Sequence, residues 1–163
     1  MLFRSLGIAN AGYRAIETLR LEKGYRAWGA DIGPDHTPLD AGLGWAVKFA
    51  KDTPFQGREA LEAERGRPRV KRMCAFTVDD PHVVLLGRET IYRDGVQVGW
   101  LTSGGYGHTI GKAIGYGYVR NQGGVDRAYL LGGQFELEVA TVRIPCVIHL
   151  EPLYDPRMER VRM

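Results

Sequence analysis

Between Gly24 and Gly57 the chain runs for more than thirty residues in which no helix of ordinary length can form. Pro34, Pro38 and Pro54 stand in this stretch together with six glycines and clustered aspartates. Proline removes a backbone donor, and glycine adds conformational freedom that a helix must suppress. Irregular runs of this length are uncommon inside a compact domain. Yet this one carries Trp28, Leu39, Leu43, Trp45, Val47 and Phe49, side chains that gain free energy by leaving water. One neighbouring helix cannot cover them. The first third of the chain is therefore expected to pack onto structure outside the chain. Taken alone, it should expose a large apolar patch over Trp28, Leu43 and Trp45.

The flanks of this stretch read more regularly. Ile8, Ala11, Ala15, Ile16 and Leu19 recur at three- and four-residue intervals, which predicts an amphipathic helix over Ile8–Lys23 stopped by Gly24. Good helix formers predict a second, short helix over Arg58–Arg65. After Pro68 the period changes from helical to alternating. Val70–Val78 is rich in strand formers, and Asp94-Gly95 between two such runs is a tight hairpin signal. Lys112–Val119, Phe135–Ile144 and Cys146–Leu150 continue the strand pattern. Short strands at close spacing predict a small antiparallel barrel or jelly roll. The fold class expected is α+β, with one unit over residues 1–67 and a β-barrel over 68–163.

Composition narrows the partners. The net charge is only +3, and the densest basic run, Arg65–Arg72, is broken by Gly66 and Pro68, so it reads as a solvated linker and nucleic acid is not expected as a partner. No apolar run approaches the roughly 18 residues of a membrane span, and the N-terminal stretch lacks the pattern of a signal peptide. Cys74 and Cys146 are far apart without CxxC spacing. They read as small buried hydrophobes in a reducing compartment, which points to the cytoplasm.

Several familiar sites fail on spacing. The glycine-rich TSGGYGHTIGKAIGYGYV has Tyr106 where a phosphate loop requires glycine and Ala113 where it requires Ser or Thr. It reads instead as strands in close contact. His36, His82, His108 and His149 show no short metal-ligand spacing, and are expected in surface or turn positions. Ser5 and Ser103 are the only serines and neither lies in a GxSxG context. The sequence thus assigns neither a catalytic residue nor a metal ligand.

The cluster LRLEKGYRAWGAD, residues 19–31, is more informative. Arg20 lies at the edge of the predicted apolar face, and Tyr25 and Trp28 follow in a loop, where binding residues concentrate. A guanidinium beside aromatic surface suits a ligand with a flat ring and a carboxylate tail. Glu22 is expected to hold Arg20 or Arg26 in place.

The strings LRLEKGYRAWGADIGPDHTPLDAGLGWAV, KDTPFQGREAL and YRDGVQVGWLTSGGYGHTIGKAIGYGYV resemble the glycine-cleavage T-protein family, and most of all the C-terminal halves of dimethylglycine and sarcosine dehydrogenases. The likeness runs from about Gly7 to Pro156. It implies the end of a folate-binding domain followed by a small antiparallel β-barrel. The chemistry it implies is transfer of an aminomethyl or methylene unit to tetrahydrofolate, whose amine attacks an electrophilic methylene carbon. The protein then has to orient the pterin and stabilise the iminium. By the resemblance Arg20 contacts the folate, Trp45 lies near it, and Trp28 matches a recurrent aromatic. FAD would belong to a separate or missing domain.

The family's catalytic aspartate and its acidic and tyrosine pterin contacts lie upstream of the matched region. The chain is accordingly expected to lack part of the catalytic site and to need the N-terminal half of the module as a partner. A rival expectation is a non-catalytic docking or folate-binding module that partners a flavin amine dehydrogenase domain.

Overall fold

A computed structural model describes residues 4–160 and 162. Six strands close into an antiparallel barrel in the order β1-β4-β3-β2-β5-β6. They are β1 (Lys71–Val78), β2 (Thr90–Arg93), β3 (Val96–Gly107), β4 (Lys112–Arg120), β5 (Phe135–Val139) and β6 (Val142–His149). The α+β class and the antiparallel barrel read from the sequence are both present. Asp94 and Gly95, both at positive φ, form the two-residue tip joining β2 to β3, with Arg93 opposite Val96.

The barrel is filled by the alternate residues that point inward: Cys74, Phe76 and Val78 from β1, Ile91 from β2, Val98 and Leu101 from β3, Val119 from β4, and Phe135 and Leu137 from β5. The other faces of β1 and β4 are also covered. Met73, Ala75, Ile114, Tyr116 and Tyr118 form a second cluster with Leu21. That is why every residue from Ala113 to Val119 is buried. Gly115 and Gly117 make this possible. A Cβ at Gly115 would lie 2.4 Å from Leu101 Cδ1, and one at Gly117 would lie 2.5 Å from the Trp100 carbonyl oxygen. The glycine-rich stretch is thus a hairpin of closely packed strands.

One strand reading needs correction, and one element was not expected. Phe135–Ile144 is not one strand but a hairpin, β5 and β6, turning at Ala140 and Thr141 with φ of 48° and 70°. Neither residue is a usual choice for that conformation, so the turn left no signal. A short helix, α3 (Arg127–Leu131), capped by the Asp126 side chain on the Tyr129 amide at 2.7 Å, was also unforeseen.

The remaining elements lie across the second cluster as an outer layer. Helix α1 covers Tyr13–Lys23, later in its start than the expected Ile8. Its buried residues are Leu21 and Glu22, whereas Ile8, Ala11, Ala15, Ile16 and Leu19 are all exposed. The periodic apolar stripe therefore faces away from the barrel. Helix α2 (Arg58–Arg65) has the predicted bounds and buries no residue. Between the helices the loop settles partly on the barrel: Leu39 and Ala41 are buried, Leu43 is half-buried, and the Met73 amide donates to the Asp40 carbonyl at 2.8 Å. Trp28 and Trp45 remain 74% and 76% exposed. Of the three residues expected to be exposed together, the two tryptophans are exposed and Leu43 is half-buried. Among the described residues no helix is long and apolar enough to cross a membrane.

Candidate functional site

The junction of the layer with the barrel is built around Asp31. Helix α1 ends at Gly24, φ 74°, with the Gly24 and Tyr25 amides donating to the Leu21 and Arg20 carbonyls. The chain then turns again, the Asp31 amide donating to the Ala27 carbonyl at 2.8 Å. This second turn aims the Asp31 carboxylate at β3. Asp31 is fully buried. Its Oδ2 accepts from Arg20 Nη1 at 2.6 Å and the Ala27 amide at 2.9 Å. Its Oδ1 accepts from the hydroxyls of Thr102 and Ser103, both at 2.6 Å. Four donors satisfy a buried carboxylate, which would otherwise be prohibitively costly. Tyr118 adds a bond from its hydroxyl to the Asp31 carbonyl at 3.0 Å.

Arg20 is correspondingly fixed. Its Nη2 also donates to Ser103 Oγ at 2.9 Å, and Glu17 takes Nε and Nη2 at 2.9 and 2.8 Å. Of the five N–H groups of a guanidinium, four are thereby engaged. The Arg20 guanidinium beside Glu17 holds that carboxyl below its usual range. The side chain of Arg20 is 13% exposed and that of Glu17 is 28% exposed, so any ligand would approach from the Glu17 edge.

The three residues singled out in the sequence are not one cluster. Arg20 and Trp28 flank the Asp31 turn, while Trp45 sits on a 3-10 turn at Gly44–Ala46. Trp45 lines a groove of about 670 Å³ with Phe49, Lys48, Lys51, Arg65 and Arg69, whose lining includes neither Arg20 nor Trp28. The layer thus presents two separate exposed indoles and one immobilised guanidinium.

Other expectations shift. Glu22 does not hold Arg20 or Arg26; it is 2% exposed and accepts from the amides of Thr109 and Ile110 at 2.5 and 3.2 Å, tying α1 to the β3–β4 turn. Arg26 instead donates to the carbonyls of Gly24 and Ala41. His36 is half-buried and stacks on Tyr118 with centroids 4.4 Å apart, and His149 meets Thr77 Oγ1 at 2.9 Å. Burial lowers the pKa of both. Burial also pushes the Tyr116 hydroxyl and the Cys74 and Cys146 thiols up to about 12, so the thiols stay protonated and unreactive at neutral pH. Among the described residues no group of three metal-ligating side chains gathers. Asp31, Thr102 and Ser103 escaped sequence reasoning because an acid more than seventy residues from its hydroxyl partners carries no spacing signal.

Comparison with known proteins places this geometry. The model of the glycine cleavage T-protein C-terminal barrel domain matches residues 71–155, and that of the GCVT N-terminal domain matches residues 3–51. The chain belongs to the glycine cleavage T-protein family. It is 41% identical over 158 residues to mitochondrial sarcosine dehydrogenase of Mus musculus, covering 96% of this chain and 17% of that protein. It is 34% identical to the mitochondrial pyruvate dehydrogenase phosphatase regulatory subunit of the same organism, over 90% of this chain and 18% of that one. The crystal structure of the glycine cleavage system aminomethyltransferase T from Bartonella henselae superposes with a TM-score of 0.78 at 27% identity, over 95% of this chain and 42% of that chain. The chain thus spans less than half the length of the T-protein family members it matches.

Proposed function

We propose that the chain is the C-terminal part of a tetrahydrofolate-dependent module that transfers an aminomethyl or methylene unit, as in a T-protein or a dimethylglycine/sarcosine dehydrogenase-like enzyme. In this reading residues 1–67 complete a folate-binding domain whose other half supplies the catalytic carboxylate, and residues 68–163 are its barrel. FAD, where the donor amine must be oxidised, sits on a separate flavin domain. The setting is the cytoplasm, where Cys74 and Cys146 remain thiols.

The observation that carries the reading is the outward face of the layer. Tyr13, Ile16, Leu19 and Trp28 are each more than half exposed beside an arginine already held rigid by Asp31. A large exposed apolar surface next to a pre-organised charge marks an interface enclosing a ligand. Bound tetrahydrofolate supplies the amine that captures the carbon unit. The residues of this chain orient it, Arg20 through the guanidinium edge that Glu17 holds and Trp28 and Trp45 through their ring faces.

The test is calorimetric titration of tetrahydrofolate into this chain combined with the upstream half of a homologous aminomethyltransferase. Arg20→Ala should weaken binding at least tenfold, about 1.4 kcal/mol or more, and Arg20→Lys should restore little. Trp28→Ala and Trp45→Ala remove exposed rings without touching the core, and each should weaken binding by about 0.5–1.5 kcal/mol. Unchanged affinity in the two tryptophan variants would take the indoles out of the site.

A second reading has its own support. Likeness to a protein named as a regulatory subunit favours a docking module that uses the same exposed face to hold a flavin amine dehydrogenase domain. That reading predicts binding to the flavin domain with no response to folate in the same titration.

A further inference from the structure

Beside the Asp31 junction, and sharing Thr102 and Tyr118 with it, a cleft of about 540 Å³ opens between the loop residues Gly29, Ala30 and His36 and the strand residues Trp100, Thr102, Tyr118 and Arg120. Arg120, the last residue of β4, lies with its guanidinium carbon 4.1 Å from the centre of the Trp100 ring and 5.9 Å from that of Tyr118. His36 stacks on the same Tyr118 and fixes it. Among the described residues no hydrogen bond or ion pair engages Arg120, and its Nη1 is buried without a partner. Burial lowers its pKa, but a guanidinium does not give up its proton in a protein. What remains is a half-buried cation with no direct ion-pair partner, felt only at a distance by Asp40, an arrangement that an anion relieves.

The other charges of the cleft divide clearly. Lys71 is already answered by Asp40 at 3.2 Å and by the Asp35 carbonyl at 2.7 Å. Arg88 is exposed and among the described residues its side chain has no polar partner, while its backbone, at φ 83°, donates its amide to the Leu101 carbonyl at 2.8 Å. Asp35 is the only acid in the lining. Three cations against Asp35 and Asp40 leave the cleft net positive, and Arg88 and Arg120 are the two unanswered members.

We propose that Arg120 and Arg88, with Trp100 between ligand and barrel, form a binding site for a small organic oxyanion. The carboxylate or phosphate group is taken by the planar Arg120 fork, and the carbon body lies against the Trp100 ring. Trp100 is 45% exposed, so its ring has surface to offer. The site is distinct from the tetrahydrofolate reading and does not depend on it.

The full chain is titrated with succinate and, separately, with inorganic phosphate at constant ionic strength. The indole N–H signals are followed by NMR and assigned with Trp100→Phe. A saturable shift confined to Trp100 is expected, with Trp28 and Trp45 as internal references. The anion saturating at the lower concentration identifies carboxylate or phosphate as the natural group. Arg120→Lys keeps the charge and loses the fork, and should weaken binding roughly fivefold or more. Arg88→Gln alters an exposed side chain, leaves the fold intact and should weaken it by about threefold. No shift with either anion, equal non-saturating shifts of all three indoles, or unchanged affinity in both variants overturns the proposal. So does a Trp100 shift produced by hexaglutamate alone, which would make the cleft a protein-docking surface.

Discussion

Phe76, inside the barrel, and Asp31, in the layer laid against its outside, are both fully buried. Phe76 is surrounded by apolar side chains, among them Phe135 at a centroid distance of 5.8 Å. Asp31 is surrounded by donors drawn from a helix, a loop and a strand. The barrel is thus held by area removed from water, a force that tolerates small changes of geometry. The layer is held by a carboxylate whose solvation has been replaced bond for bond, which tolerates very little. The layer buries Leu21 and Leu39 beside that carboxylate but leaves Ile16, Leu19, Trp28 and Trp45 more than half exposed. An exposed apolar face on this scale is arranged to receive something.

The sharpest break of this comparison substitutes both residues. Phe76→Ala should lower global stability by about 3–5 kcal/mol, seen as a lower urea midpoint with all amides losing protection together. Asp31→Ala removes the buried partner of Arg20, leaving it only the part-solvated Glu17, and takes the acceptor from the Ser103 hydroxyl, a loss of about 3–5 kcal/mol. Its effect should be local. Hydrogen exchange should accelerate over α1 and residues 27–41 while Cys74 and Leu137 in the barrel stay protected. Uniform loss of protection in Asp31→Ala would mean that layer and barrel are one cooperative unit.

How much of this was legible follows the same division. The barrel is written in local signals: alternation in β1 and β4, and Asp94-Gly95 where the chain reverses. The signal failed at the short helix α3, and at Ala140 and Thr141, where the Val139–Val142 register imposes a turn its residues do not favour. In the layer the local signal pointed the wrong way. The 3.6-residue period of Ile8, Ala15, Ile16 and Leu19 marks the face turned from the barrel, because the inner face relies on Leu21 and a buried Glu22. Arg20 stood out in the sequence by its place at the edge of an apolar face, but the network that fixes it joins positions up to 83 residues apart. Trp28 and Trp45 were read as interface residues, and their exposure follows from the shortage of local structure to cover them.

Acid should separate the two regions less strongly. His36 lies in the layer and His149 in the barrel, and burial lowers both pKa values from about 6.5. Below that pH the unfolded chain binds protons that the folded rings resist, so stability is retained above about 6.5 and falls as pH drops toward the folded values. Exchange measured at pH 7.5 and 5.5, corrected for intrinsic rates, should show loosening near both histidines. His36→Phe preserves the stack on Tyr118 and should abolish the acid response of the layer alone. An unaltered response there would assign the loosening to other groups.

The smallest effect is the one most useful for the ligand question. Glu17 and Arg20 are an i,i+3 pair on α1 and Glu17 is partly solvated, so Glu17→Gln should cost only about 0.2–0.5 kcal/mol. The pair lowers the Glu17 pKa from 4.5. Its contribution is therefore present above about pH 4.5 and disappears as pH falls through the folded value. Urea unfolding at pH 7 and pH 3 should show wild type and variant differing slightly at the first and converging at the second. Asp31 and Ser103 grip the other side of Arg20, so the guanidinium should stay in place while its outward edge loses a charged acceptor. A ligand carboxylate approaching that edge must displace Glu17. In the reconstituted module Glu17→Gln should consequently tighten tetrahydrofolate by a few-fold, well under the roughly 1.4 kcal/mol of a tenfold change. Weaker binding together with a stability loss above 1.5 kcal/mol would show that Glu17 anchors Arg20, and that Asp31 alone does not set its position.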